Sequence, residues 1–303
     1  MLADGLTRPR REVKPWAVLR AQAAGGLTLG RLTAYIKSMT TYLTTPQGRH
    51  IAYHWTEGRG PGIVFLGGFR SDMTGSKAMH LQAWAQAQGR AFLRFDYSGH
   101  GASRGAFVDG SIGDWRDDAA AVIEALTDGP QILIGSSMGG WIALLLARDL
   151  PGHVAGLVGI AAAPDFTERM WADEFSSTDH ATLLAEGVLF RPSDYSDEPY
   201  PITRRLIEDG RQNLVLDRPL TLPIPVRLLQ GTADTDVPPS VGLGLLDHID
   251  SADLRLTLVK GADHRFSTPA CLDLLTATVE DLLPVPDAAI SDASTPLHKS
   301  NIR

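Results

Sequence analysis

The pentapeptide Gly135-Ser136-Ser137-Met138-Gly139 constrains this chain more than any other stretch. It is a G-x-S-x-G pattern, placed after the apolar run QILI and before WIALLLARDL. A strand-like run that feeds straight into a helix-like run leaves no room for a relaxed loop. The residue at the bend must take a strained backbone conformation, and the positions two before and two after it must be small. The hydroxyl of Ser137 is then presented at the end of a strand. The N–H of Met138 follows at the amino end of a helix, where backbone donors lack intrahelical partners and favour negative charge.

The rest of the chain repeats that strand-to-helix logic. Short β-prone runs bounded by turn residues fall at 41–45, 50–55, 62–66, 91–95, 131–134, 157–160, 226–229 and 254–259. The first two flank Pro46-Gln47-Gly48 and read as a hairpin. Several others are continuous apolar runs, as parallel strands covered on both faces require. Helix-like stretches lie at 77–88, 112–126, 139–150, 239–248 and 269–283. This alternation predicts an α/β layered fold, a mostly parallel central sheet flanked by helices.

The alternation breaks at 165–222, where polar turns are mixed with Met170, Trp171, Phe175, Leu183, Leu184, Leu189 and Phe190. An insertion at that point reads as a helical lid over the carboxyl edge of the sheet, where open α/β sheets bind ligands.

Composition removes several classes of function. The 303 residues are 44% hydrophobic, enough for one large domain to bury a core without crosslinks. The single cysteine, Cys271, excludes an internal disulfide and a cysteine-rich zinc site. A net charge of −7 argues against a nucleic-acid partner, which would need a basic face. No run approaches the roughly 18 apolar residues of a membrane span. Residues 1–38 carry a net +5, leaving −12 for the remainder. They are expected to be a basic extension, followed by the domain at 39–283 and a polar tail at 284–303. Cytoplasmic placement is expected; a mitochondrial presequence is the alternative reading of the basic segment.

A serine hydroxyl needs a base to take its proton. In this fold the order is serine, then acid, then histidine. GTADTDVP at 231–238 supplies two carboxylates after a predicted strand. Asp234 stands at the usual spacing from Gly231 and is the expected acid; Asp236 remains the alternative, or else a helix-capping carboxylate. His264 follows in KGADHRF, again just after a predicted strand. It is the expected general base and acid. The second oxyanion donor is expected in LGGFRSD at 66–72, from the N–H of Phe69, with the N–H of Met138 as the first. Other signals carry less. His50 and His54 merely share one face of a strand. GHGAS at 99–103 lacks nucleotide-binding spacing and reads as a tight structural turn. No cofactor and no metal are expected.

Longer motifs carry a resemblance. GGFRSDMTGSKA (67–78), FDYSGHGASRGAFVDGSIGDW (95–115), GPQILIGSSMGGWIALL (129–145) and GADHRF (261–266) resemble the mitochondrial palmitoyl-protein thioesterase and acyl-glucuronide esterase of the abhydrolase-domain group. The resemblance covers about 40–283 and implies an α/β-hydrolase fold with a helical lid insertion at about 165–222. It implies a Ser137–Asp234–His264 triad acting on S-acyl groups of protein cysteines and on acyl-glucuronide esters. Arg70, Trp171, Phe175 and Phe190 are the expected substrate contacts, with an acyl thioester or ester, or an S-acylated protein, as the partner. A small-molecule carboxylesterase, a cofactor-free haloperoxidase and a non-catalytic binding protein are the alternatives on the same fold.

Overall fold

The computed structural model describes residues 40–193 and 196–284. The extension expected at 1–38 and all but the first residue of the tail at 284–303 lie outside them. The eight-stranded sheet contains β1 (Thr41–Thr44), β2 (His50–Thr56), β3 (Arg59–Leu66) and β4 (Arg90–Phe95). It continues with β5 (Gln131–Ser136), β6 (Val154–Ile160), β10 (Val226–Gly231) and β12 (Leu254–Val259). Their order is β1-β2-β4-β3-β5-β6-β10-β12. The β1–β2 hairpin is antiparallel, as expected, and β2 also runs antiparallel to β4. Every pairing from β4 to β12 is parallel.

The central strands alternate between two cores, because successive side chains leave a strand on opposite faces. Ile63, Phe65, Phe92, Ile132 and Ile134 pack with Leu81, Leu275 and Val279. These three belong to α1 (Ser76–Ala87) and α8 (Pro269–Asp281). Val64, Leu66, Leu93 and Leu133 face the other way, toward Trp115 and Trp141. Those tryptophans stand on α2 (Ile112–Leu126) and α3 (Met138–Asp149). Both faces of the sheet are therefore covered, which accounts for the unbroken apolar runs.

The chain between β6 and β10 departs from the purely helical expectation. It holds α4 (Phe166–Arg169), a π turn (Met170–Glu174), α5 (Ser177–Glu186) and α6 (Arg204–Gly210). Between α5 and α6 lies an antiparallel hairpin of β7 (Val188–Ser193) and β8 (Ser196–Thr203). Gly187, at φ +78°, ends α5 and turns the chain into β7. Pro199 and Pro201 cannot donate to a ladder, but a two-stranded ribbon always offers an open edge that tolerates them. The segment's two ends are pinned by Asp165, whose carboxylate accepts from Val215 N at 3.0 Å and Leu216 N at 2.9 Å. β9 (Leu220–Thr221) and β11 (Ile249–Asp250) form a further short pair, and α7 (Pro239–His248) precedes β11.

Candidate active site

Ser137 occupies the bend between β5 and α3 at φ 55°, ψ −119°, a region that side-chain-bearing residues rarely enter. The surroundings enforce this strain. Ser137 N donates to Ile160 O at 2.9 Å, and Ser137 O accepts from Gly140 N at 2.8 Å. A Cβ on Gly135 would lie 2.3 Å from Gly139 O, and one on Gly139 would lie 2.1 Å from Leu66 O. The two flanking glycines are thus required by backbone contact, as the pattern implied.

Three loops at the carboxyl edge converge on this serine. His264, after β12, places Nε2 3.1 Å from Ser137 Oγ and Nδ1 2.9 Å from Asp234 Oδ2. The Asp234 side chain is fully buried, and His264 is 17% exposed. Burial opposes ionisation of Asp234. Bonds from His264 and from the Val237 and Asp236 N–H groups outweigh that penalty and hold its carboxyl below the ordinary range. Gln230 Nε2 donates to the same carboxylate at 3.0 Å. Gly231 lets the acid and base loops meet: a Cβ there would sit 2.2 Å from Ala262 O. Ala233 N donates to that same oxygen at 3.0 Å.

The loop carrying Phe69 lies against the serine bend, since a Cβ on Gly68 would be 3.4 Å from Ser137 Cβ. The Phe69 ring sits edge-on to Phe107, Trp115, Phe166 and Tyr200. Asp96 and Arg94 hold the far end of this loop. Asp96 Oδ1 accepts from Met73 N at 2.6 Å, and Arg94 Nη1 donates to Met73 O at 2.9 Å. The GHGAS turn does more than bend. Ala102 N donates to Asp96 Oδ2 at 2.8 Å, and a Cβ on Gly101 would lie 2.2 Å from that oxygen. His100 is buried among Tyr97, Phe107 and Trp115 and is pushed down to about 4, chiefly by burial.

The expected substrate contacts scatter. Arg70, at φ 57°, is exposed, stands over the Phe107 ring and donates to Pro199 O at 3.5 Å. Trp171 stacks on His180 at 4.1 Å, and Phe175 is buried beside it. Phe190 is 62% exposed and stands in solvent. Asp236 caps no helix; the residue preceding α7 is Pro238, with no side-chain cap.

Two residues gave no signal in the sequence. Lys77 Nζ donates to Arg265 O at 2.5 Å, beside His264. Arg169 Nη2 donates to Asp236 O at 3.0 Å, beside the acid. Among the described residues, the one group with metal-ligand spacing is Asp234, Asp236 and His264, with atoms within 4.8 Å of one another. The His264 Nδ1 and Nε2 atoms are already engaged with Asp234 and Ser137.

A serine at a strained strand–helix bend, under a largely parallel sheet edge, defines the α/β-hydrolase class of serine hydrolases. Comparison with known proteins agrees. The family model described as serine aminopeptidase, S33, matches residues 63–189. Palmitoyl-protein thioesterase ABHD10, mitochondrial, from Bos taurus is 36% identical over 248 residues, 82% of this chain and 81% of the relative. The Homo sapiens protein of that name is 35% identical over the same shares. Among solved structures, a protein from Agrobacterium vitis S4 described as a hydrolase superposes with TM-score 0.78 at 41% identity, covering 81% of this chain and 99% of its own. Mouse alpha/beta hydrolase domain-containing protein 10 superposes with TM-score 0.75 at 35% identity, covering 81% and 98%. The chain belongs to the ABHD10 thioesterase family, and its function is that of a thioesterase or esterase. The cytoplasmic placement expected from the sequence finds no support here, because these named relatives are mitochondrial. No helix among the described residues is long and apolar enough to cross a membrane.

Proposed function

We propose that Ser137, His264 and Asp234 form the working triad of a thioesterase that removes long acyl groups from cysteine thiols, including those of S-acylated proteins. The observation that carries this reading is the continuous pair of contacts from Ser137 Oγ to His264 Nε2 and from His264 Nδ1 to Asp234. Ser137 attacks the thioester carbonyl as His264 takes its proton. Asp234 keeps the imidazole in the required tautomer and stabilises its cationic form. The N–H groups of Phe69 and Met138 hold the tetrahedral oxyanion, a role worth about 2.7–4 kcal/mol per donor. The C–S bond breaks, the thiolate leaves, and water activated by His264 releases the acid. The thiolate is a weakly basic leaving group, so His264 need donate less proton than an alkoxide would demand.

The segment between β6 and β10 is the lid in this reading. Trp171 and Phe175 give it apolar surface for the acyl chain, each buried methylene contributing about 0.8 kcal/mol. The names of the animal relatives support a protein thioester as substrate and favour the mitochondrial alternative for location.

The experiment is hydrolysis of matched acyl thioesters and oxygen esters, from two to sixteen carbons, with Ser137→Ala as the control. Long thioesters preferred, with turnover lost in the variant, is the expected result. Preference for short oxygen esters would move the substrate to small molecules. Turnover in Ser137→Ala equal to the parent on every substrate would sink the triad.

A further inference from the structure

We propose that Asp236 is a second carboxylate for His264, a positioning residue that stabilises the protonated imidazole alongside Asp234. The inference rests on the triad reading above. Its basis is a juxtaposition across two loops: Asp234 and Asp236, after β10, and His264, after β12, bring one ligand atom each within 4.8 Å of one another. Asp234 already takes Nδ1, and Ser137 takes Nε2. Asp236 therefore acts on the ring through its charge rather than by replacing either bond.

The local backbone fixes this arrangement. Asp236 N donates to Asp234 Oδ1 at 3.0 Å, which ties the main chain at Asp236 to the Asp234 carboxylate. Arg169 Nη2 holds Asp236 O at 3.0 Å from the other side. Arg169 in turn pairs with Glu174 at 3.4 Å, and Glu174 with Arg191 of β7 at 3.7 Å. Tyr200 of β8 completes the surroundings. Burial pushes its ionisation up, Arg191 opposes, and the negative charges of Glu174 and Asp236 add to the rise. The charged and titratable groups nearest Asp236 are thus Asp234, His264, Arg169 and Tyr200, with Glu174 and Arg191 one ion pair further out.

Two carboxylates next to one imidazole matter because the imidazole becomes a cation in each half of the reaction. A serine hydrolase with a single acid loses about 10⁴ in kcat when that acid is made neutral. With Asp236 in place, the cation keeps a negative neighbour after Asp234 is neutralised. The two acids should then show strong non-additivity, as groups that share one partner do.

The test measures kcat, KM and pH profile on one long-chain acyl thioester. The variants are Asp234→Asn, Asp236→Asn, the double variant, Asp236→Glu and Ser137→Ala, each checked for folding by its thermal melt. Expected for Asp236→Asn is a kcat lower by about tenfold with KM within twofold, and an acid limb moved to lower pH, because a negative charge has left the imidazole. Asp236→Glu should restore the acid limb. Asp234→Asn should stay about 100-fold above Ser137→Ala, and adding Asp236→Asn to it should remove most of that remainder. The inference is overturned if Asp236→Asn matches the parent in kcat and acid limb, or if the double variant equals Asp234→Asn. A drop in KM alone or in melting temperature alone would also overturn it, assigning Asp236 a structural part. Full activity in Ser137→Ala would instead remove the triad, and this inference with it.

Discussion

The Lys77 ammonium donates to the main-chain oxygen of Arg265 at 2.5 Å, one residue past His264. Ser76 Oγ reaches Ser267 Oγ at 3.1 Å beside it, so the amino end of α1 grips the histidine loop at two points. Lys77→Met should leave the fold intact and lower kcat by about three- to tenfold with little change in KM, because a base displaced by a fraction of an ångström loses its alignment. Steady-state kinetics on one thioester settles it. An unchanged kcat would mean that the loop holds itself.

Burial pushes the same lysine down to about 8 from 10.5, with Asp263 opposing and Arg265 reinforcing the change. Between those two values the unfolded chain holds a proton that the folded chain has released. The lysine therefore makes stability rise with pH across that window. Urea unfolding at pH 7.5 and 10 should show the parent gaining on Lys77→Met by about 1–2 kcal/mol at the higher pH. Parallel behaviour of the two proteins would refute it.

His100 supplies the acid side. Its folded value of about 4 lies below the ordinary 6.5, with burial the largest cause, so the neutral ring is the one the core accepts. Stability from this group is complete above about pH 6.5 and is lost as pH falls toward 4. His100→Phe should flatten that decline by about 1–3 kcal/mol between pH 7 and 4.5. Equal acid sensitivity in both proteins would show that other groups control it.

Ser137 carries backbone strain that glycine would not. Ser137→Gly should therefore raise the unfolding free energy by about 1 kcal/mol relative to Ser137→Ala, while both lose turnover. A denaturant midpoint no higher in the glycine variant would mean that the bend is relaxed in solution.

Gly231→Ala puts a methyl into the backbone of Ala262, between the loops that carry Asp234 and His264. Destabilisation of about 1–3 kcal/mol and a kcat fall of about 100-fold are expected. Near-normal turnover would show that the two loops can separate without parting the acid from the base.

The residues whose positions follow from local pattern were legible in the sequence. Ser137, Asp234 and His264 each follow a strand run, and the sheet brings the ends of β5, β10 and β12 to one edge. Local pattern also exposed the glycines at 135 and 139. It missed Lys77 and Arg169 because both act on main-chain carbonyls, which no residue type announces, at separations of 188 and 67 residues. The role of Asp96 was hidden for a similar reason. The turn at 99–103 looked self-sufficient, yet position 101 must be glycine because the Asp96 carboxylate fills the space a side chain would take. The β7–β8 hairpin was obscured by Pro199 and Pro201, which speak against a strand until the strand is known to have an open edge.

Among the described residues that hairpin pairs only with itself and contributes no strand to the eight-stranded sheet. Its register and length are thus independent of the register that places Ser137, Asp234 and His264. The chain leaves the sheet and returns to it near one carboxylate, Asp165, which clasps both ends. Beyond that clasp the insertion is held by the helices beneath it, through Trp141 Nε1 on Asn213 O and Gly113 N on the Asp209 carboxylate. Exchanging the hairpin, residues 188–203, for the corresponding stretch of a relative should change which acyl chains are accepted, while the strand ends that carry Ser137, Asp234 and His264 keep their places.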